Sequence, residues 1–130
     1  PISLAVIWIE LAKELELQAN GVNFPGHFLM TVNLNPASRG RVVVDPFTGD
    51  CLSREDILHR IHNVSTPGQR QSRKNPDELL AIYLQPVNER EILWRMLRNL
   101  EEIYRTRGDA TRLTKINARM DIMRDTAEQA

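Results

Sequence analysis

Two side chains in the first half of the chain have the types that proton transfer requires, and their spacing places them on neighbouring strands. His27 follows the segment Phe24-Pro25-Gly26, which breaks an extended pattern, and Asp45 ends a run of valines. A simple hairpin would lay these strands side by side, so we expect the imidazole and the carboxylate to meet. An aspartate that accepts one ring N–H fixes the imidazole tautomer and leaves the other nitrogen to accept a proton from a nucleophile. A purely structural hydrogen bond would use the same two residues, so the spacing leaves both interpretations open.

No residue is clearly placed to be the nucleophile of such a pair. Ser3 lies near the start of a helical pattern, where a serine more often caps or packs than attacks. Cys51, the single cysteine, follows Asp45 across a turn and forms a short apolar pair with Leu52, which is typical of inert packing. The amino group of Pro1 could act as a general base, but tautomerases that begin with proline place it on a strand, whereas Pro1 precedes a helical pattern.

Two further groups of residues could bind ligands, and we favour a structural interpretation of each. His59 and His62 have a spacing that suits a metal site, yet no cysteine or carboxylate cluster accompanies them, so no metal is predicted. Arg70, Arg73 and Lys74 form a short basic run among polar residues, and without aromatic or helical support such a run is typical of a solvated loop. The sequence predicts no cofactor.

The overall charge and the cysteine content limit the classes of function. Seventeen basic residues balance 17 acidic ones, so no net field would draw the protein to nucleic acid or to an anionic membrane. A single cysteine fits a reducing compartment, and we expect a cytoplasmic protein. The apolar stretch near the start is interrupted by Glu10, Lys13 and Glu14, so it predicts a buried helix and not a membrane span or a signal peptide.

The elements that would position His27 and Asp45 follow from apolar periodicity and from turn residues. The pattern predicts a helix over residues 2–17 enclosed by other elements, strands over 18–24, 27–34 and 41–44, and a helix over 54–62 capped by Ser53. These elements indicate an α+β core at residues 1–63, followed by a connecting segment at 64–87. Because apolar patterning begins at once, we expect the core to lack its N-terminal part.

The strongest helical pattern lies near the end of the chain. Asn88 and Glu91 have the spacing of a capping box, and an apolar stripe at helical spacing follows them. Gly108 ends this helix and Asp109 caps the next one, which predicts an antiparallel helical hairpin over residues 88–127. A single hairpin cannot bury its own apolar face, so we expect it to pack on the core.

Three segments carry a family resemblance, and they are Pro1-Ile2-Ser3-Leu4-Ala5, Gly21 to Leu29 and Val44 to Gly49. Together they resemble the SirB1 family of bacterial transglutaminase-like proteins, whose core is papain-like. The resemblance implies that His27 and Asp45 occupy the positions of a catalytic histidine and aspartate. It places the family's cysteine on Pro1, which has neither thiol nor hydroxyl and cannot form an acyl intermediate from its side chain.

The resemblance also implies a cleft and a helical tail. The cleft around the histidine and the aspartate would be lined by Phe24, Pro25, Gly26, Pro46 and Phe47. The tail is similar to a tetratricopeptide-like unit, although Glu101 and Leu113 stand where that repeat prefers small residues. Trp94 lies off the main apolar stripe and is either a contact residue or a lid.

These observations favour a non-catalytic protein that binds a protein or peptide partner, with His27 and Asp45 in a vestigial cleft. The alternative is an amide hydrolase or acyl transferase in which His27 is the general base and acid and Asp45 orients it. Its nucleophile would be unidentified, with Ser3 and Cys51 as weak candidates. A purely structural subunit is the third interpretation. The sequence names neither the partner nor the oligomeric state, and it predicts no nucleic-acid or membrane partner.

Overall fold

The computed structural model describes residues 2–34, 40–64 and 75–128, which form an α+β first unit up to Val87 and a helical second unit from Asn88. In chain order the elements are α1 Ile2–Glu14, β1 Gln18–Val22, β2 Leu29–Asn33, β3 Arg41–Val44, β4 Cys51–Leu52, α2 Arg54–Val64, α3 Pro76–Tyr83, β5 Pro86–Val87, α4 Glu89–Arg107 and α5 Ala110–Glu128. Pro1 and the basic run of Arg70, Arg73 and Lys74 lie outside the described residues.

A five-stranded antiparallel sheet, in the order β4-β3-β2-β1-β5, forms the centre of the first unit. Met30 of β2 lies opposite Val44 of β3, which confirms the predicted pairing of these two strands. Apolar side chains of the sheet pack with α2 and the chain around α3. The buried members of this core are Val22, Phe24, Leu29, Val43, Ile57, Ile61 and Leu84. The pairing of β2 with β3 brings the residues before β2 close to those after β3.

Helix α1 contacts β1 and β2 through one of its faces. The buried side chains of that face are Ile2, Ala5, Ile9 and Ala12. Four large apolar side chains of α1 are exposed, namely Leu4, Ile7, Trp8 and Leu11. Within the described residues, α1 is therefore less enclosed than its composition predicts, because an apolar sequence does not reveal whether a neighbour covers each face of a helix.

The segment at 64–87, predicted as a connection, supplies α3 and β5 to the first unit. Asn75 caps α3 by accepting a hydrogen bond from the backbone N–H of Asp77, and Pro76 stands in the first turn. The partly buried side chains that pack against the core from this segment are Leu79, Leu80 and Tyr83. Strand β5 pairs with β1 over only two residues, which is too short for an alternating pattern to mark it in the sequence.

The second unit is the predicted helical hairpin of α4 and α5. Asn88 and Glu91 form a reciprocal capping box, and Gly108 ends α4 in the left-handed conformation with a φ of 68°. Asp109 caps α5 by accepting a backbone hydrogen bond of 3.0 Å in its first turn. The apolar seam between the helices consists of Trp94, Leu97, Leu100, Tyr104, Ile116, Met120 and Met123. Trp94 thus belongs to the seam, although the predicted stripe omits it.

Candidate functional site

His27 is fixed by a tight turn between β1 and β2. Its backbone N–H donates to the carbonyl of Phe24 at 3.1 Å, which closes a four-residue turn. Pro25 stands at the second position of this turn, and Gly26 at the third has a φ of 72°. Proline followed by a residue of positive φ is the combination that a type II turn requires, and glycine adopts that φ without strain. The turn therefore delivers the imidazole of His27 just before the start of β2.

Asp45 follows β3 directly and is fixed by both its backbone and its side chain. The backbone N–H of Asp45 donates to the carbonyl of Asp50 at 2.9 Å, and its carbonyl accepts from the N–H of Gly49 at 2.8 Å. Its carboxylate oxygen Oδ1 accepts from the backbone N–H of Phe47 at 3.0 Å, a local bond typical of aspartate in turns. This loop therefore determines where the carboxylate points.

The structure brings the side chains of His27 and Asp45 together. Nε2 of His27 lies 3.0 Å from Oδ1 of Asp45. The side chain of Asp45 is 3% exposed and that of His27 is 29% exposed, so the carboxylate is buried behind a partly accessible ring. A carboxylate beside Nε2 favours the tautomer with its proton on Nε2, which leaves Nδ1 as a hydrogen-bond acceptor. The ring can therefore accept a proton or a hydrogen bond at Nδ1.

A third residue, Arg60 of α2, joins this pair. Nη1 of Arg60 lies 3.2 Å from Oδ2 of Asp45 and donates a hydrogen bond to it. No pattern in the sequence marks Arg60, because arginine is common on helix surfaces. Its position could have been inferred only from its neighbours: it precedes the buried Ile61 on a helix that follows the loop after Asp45. His27, Asp45 and Arg60 are named the charged cluster below.

The surroundings of Asp45 hold its pKa below the ordinary value of an aspartate. Burial alone would raise this pKa, but hydrogen bonds from His27, from the backbone N–H of Phe47 and from Arg60, together with the charge of the imidazolium, lower it by more. Asp45 is thus an anion at neutral pH. An anion at this position can orient the ring of His27 and stabilise its protonated form.

The candidate nucleophiles do not join the charged cluster. Ser3 is exposed on α1, and Cys51 is exposed on β4. Within residues 2–34, 40–64 and 75–128, neither side chain makes a hydrogen bond to His27. Pro1, the position that the resemblance assigns to the nucleophile, lies outside the described residues.

The five residues expected to line the cleft differ widely in exposure. Phe24 is 1% exposed and packs in the core of the first unit, so it anchors the turn to the core and does not line an open surface. Pro46 is also buried, Pro25 is half-buried and Gly26 is exposed. Phe47 is 65% exposed, which makes it the large apolar side chain of this set that a ligand could contact.

The remaining candidates on α2 do not form a metal site. His59 and His62 are both exposed, and the amide nitrogen of Asn63 donates to Nδ1 of His59 at 3.3 Å. In the part of the chain that the structure describes, no group of three or more His, Cys, Asp or Glu side chains could hold a metal ion. Among those same residues, no helix combines the length and the apolar character that crossing a membrane requires.

Comparison with known proteins places the charged cluster within a family. The family model described as the transglutaminase-like superfamily matches residues 1–98, a range that contains all three residues of the cluster. The chain belongs to the transglutaminase-like superfamily. The transglutaminase-like match ends inside α4, so it covers the first unit and the beginning of the helical hairpin.

Several similar proteins carry the name UPF0162 protein. One from Xylella fastidiosa strain 9a5c is 42% identical over 106 residues, which cover 80% of this chain and 34% of that protein. Another from Pseudomonas aeruginosa is 34% identical over 109 residues, which cover 84% of this chain and 36% of that protein. The transglutaminase-like chain therefore spans about a third of the length of the curated relatives it matches. No solved structure matches it significantly.

Proposed function

We propose that this chain is a non-catalytic transglutaminase-like module that binds a protein or peptide segment at the surface around His27. The proposal rests on an oriented imidazole that has no attacking group beside it: among the described residues, neither Ser3 nor Cys51 hydrogen-bonds to His27. The imidazole is nevertheless 29% exposed and is held by a buried carboxylate. A fixed, accessible ring without an activated nucleophile is suited to recognition and not to covalent catalysis.

Phe47 supplies an apolar contact next to this polar one. Phe47 is 65% exposed, and its backbone N–H donates to Oδ1 of Asp45, the same oxygen that His27 contacts. Aromatic side chains contribute much of the energy of protein interfaces because they bury a large apolar area at low entropic cost. His27 and Phe47 together, named the recognition pair, thus offer the mixed polar and apolar contacts that a peptide segment requires.

The finer identity of the chain is part of the same proposal. The segments around His27 and Asp45 support a place in the SirB1 family of bacterial proteins, and the hairpin of α4 and α5 supports a tetratricopeptide-like tail. A single cysteine and balanced charges support a cytoplasmic protein whose partner is neither nucleic acid nor membrane.

Selection of random peptides displayed on phage against the immobilised chain tests this proposal. The affinity of a selected peptide is then measured by fluorescence anisotropy for the wild type and for the His27→Ala, Phe47→Ala and His62→Ala variants. We expect each change in the recognition pair to weaken binding about tenfold, which corresponds to roughly 1.4 kcal/mol. His62 is exposed on α2 and makes no described contact with the charged cluster, so its variant is the matched control and retains wild-type affinity. Equal affinities in all four proteins would refute the proposal.

The geometry of His27 and Asp45 also favours a second function, amide hydrolysis or acyl transfer. Nδ1 of His27 would accept the proton of a thiol or hydroxyl as that group attacks an amide, and would return the proton to the leaving amine. Asp45 would stabilise the imidazolium between these steps. This function requires a nucleophile that the described residues do not place beside His27.

Two measurements separate the second function from the first. Incorporation of a fluorescent amine into dimethylated casein reports acyl transfer. Release of ammonia from dimethylated casein with no amine added reports hydrolysis, because transfer to an amine also releases ammonia. Activity that disappears in the His27→Ala variant, with folding intact, would overturn the non-catalytic proposal. Alkylation of Cys51 by iodoacetamide at the same rate in the wild type and in this variant would support a bystander thiol, whereas a slower rate in the variant would make Cys51 the nucleophile.

A further inference from the structure

Both oxygens of the buried carboxylate of Asp45 are occupied, and they have different partners. Oδ1 lies 3.0 Å from Nε2 of His27 and 3.0 Å from the backbone nitrogen of Phe47. Oδ2 accepts a hydrogen bond from Nη1 of Arg60 at 3.2 Å. A carboxylate with an exposure of 3% cannot rely on water to stabilise its charge, so it depends on these donors. Arg60 is the donor among them that carries a permanent positive charge.

We propose that Arg60 is a positioning residue: by binding Oδ2 of Asp45 it keeps Oδ1 turned toward Nε2 of His27, so that Nδ1 is the ring nitrogen presented to a ligand as an acceptor. This inference deepens the proposed function and rests on it in taking His27 as the contact residue. A neutral imidazole whose Nε2–H donates to a carboxylate has its lone pair on Nδ1. The ligand must then bring a hydrogen-bond donor, and the backbone N–H of a peptide segment is a donor of this kind.

The position of Arg60 on α2 is itself well determined. The helix is capped by Ser53 and Asp56 through reciprocal bonds, from the N–H of Asp56 to the Ser53 hydroxyl at 3.1 Å and from the N–H of Ser53 to the Asp56 carboxylate at 2.9 Å. Ile57 and Ile61, on either side of Arg60, are buried in the core. The helix therefore cannot rotate without exposing apolar area, and the guanidinium starts from a fixed backbone position.

A simple surface ion pair would be the competing explanation for Arg60. Its side chain is 37% exposed, and exposed ion pairs contribute little because water screens them. Arg54 provides the comparison within the same helix, since its guanidinium pairs with Asp77 while both partners are exposed. Arg60 differs because its carboxylate partner is buried and also holds the imidazole. If Arg60 acts only as a surface pair, its removal will not affect the ring of His27.

Nitrogen NMR of histidine-labelled protein tests this inference without any ligand. The signals of His27 are assigned with His59→Gln and His62→Gln variants and recorded at about pH 8, where an imidazole is neutral. In the wild type we expect the Nε2–H tautomer and a slowly exchanging Nε2 proton. In Arg60→Ala we expect exchange about tenfold faster, as loss of a charge-assisted hydrogen bond to the same carboxylate implies, together with a mixture of tautomers.

Matched variants decide between positioning and surface pairing. Arg54→Ala retains the wild-type spectrum of His27, and Arg60→Lys restores the tautomer partly because an ammonium supplies the charge without the planar fork. If Arg60→Ala leaves the tautomer and the exchange rate unchanged, the inference is overturned. If circular dichroism shows that Arg60→Ala does not fold, the tautomer and the Nε2 proton exchange rate of His27 in Arg60→Lys test the inference instead. If the NMR spectra of His27 are as expected but the recognition-pair variants bind the selected peptide as tightly as the wild type, the proposed function is refuted and the role of Arg60 stands.

Discussion

Replacement of Asp45 by asparagine tests whether the charge of the buried carboxylate, and not only its shape, holds the first unit together. Asparagine is nearly isosteric, so it creates no cavity and can still accept the N–H of Phe47. It loses the charge that strengthens the bonds to His27 and Arg60. A hydrogen bond to a charged group contributes roughly 1.5–3 kcal/mol, and the bond to the half-exposed Arg60 contributes less because of solvent screening. We therefore expect Asp45→Asn to lower the free energy of unfolding by about 2–3 kcal/mol at neutral pH.

The pH dependence of this loss follows from the direction of the pKa shift of Asp45. Because the folded-state pKa lies below the ordinary value, the carboxylate contributes stability that is fully present above its unfolded pKa of about 3.9. That contribution is lost as the pH falls through the folded-state pKa. The difference between wild type and Asp45→Asn should thus be present at neutral pH and should shrink below about pH 4.

Urea titrations followed by the fluorescence of Trp8 provide the measurement. A Trp94→Phe background removes the tryptophan of the second unit, so the signal reports on the first unit alone. Asp50→Asn is the control, since this exposed carboxylate lies in the same loop, and it should change stability by less than about 0.5 kcal/mol. A loss below about 1 kcal/mol in Asp45→Asn at neutral pH, or a loss that persists undiminished at acid pH, would refute the reasoning.

Two further predictions concern packing and backbone conformation. Phe24→Ala should lower the free energy of unfolding of the first unit by about 3–5 kcal/mol in the same titration, because Phe24 is 1% exposed. Phe47→Ala, at 65% exposure, should cost less than about 0.5 kcal/mol. A loss in Phe24→Ala as small as that in Phe47→Ala would show that Phe24 is not a core residue. Gly108→Ala should lower the stability of the helical hairpin by about 1 kcal/mol, because the φ of 68° is strained for alanine. No atom lies within 4 Å of the new Cβ, so backbone strain is the expected cause. Thermal unfolding followed at 222 nm measures the loss, and an unchanged melting temperature would contradict it.

The sequence predicted those parts of the fold and of the site that short-range chemistry marks. The capping box of Asn88 and Glu91 and the left-handed Gly108 appear where their residue types indicate them. The contact between His27 and Asp45 was predicted from the turn residues at the ends of their strands. Pairing of β2 with β3 brings the residue before β2 next to the residue after β3. Each of these features depends on a few residues that are close in sequence or on one strand pairing.

The features that the sequence did not predict depend on distant neighbours. Phe24 stands beside the site residues in sequence, yet its ring packs against Tyr83 of α3 with centroids 6.1 Å apart, and α3 itself was not predicted. The contact of Arg60 with Asp45 depends on how α2 is oriented relative to the sheet, and the apolar periodicity of its sequence does not specify that orientation. The exposure of α1 depends on what surrounds it, and no property of its own residues reports that. Burial and ion pairing are properties of the assembled chain.

The pairing of β1 with β5 has a consequence for the folding of the chain during its synthesis. Strands β1 to β4 pair with their neighbours in sequence, but Gly21 of β1 pairs with Val87, at the far end of the first unit. Contacts between such distant residues form late, because a long loop must close first. Among the described residues, Pro86 and Val87 are the ones that pair with this edge of β1, so its backbone groups lack these partners until they are synthesised, and an open edge of this kind can pair with other chains. Their pairing with Val22 and Gly21 then covers the end of that edge nearest the turn that holds His27.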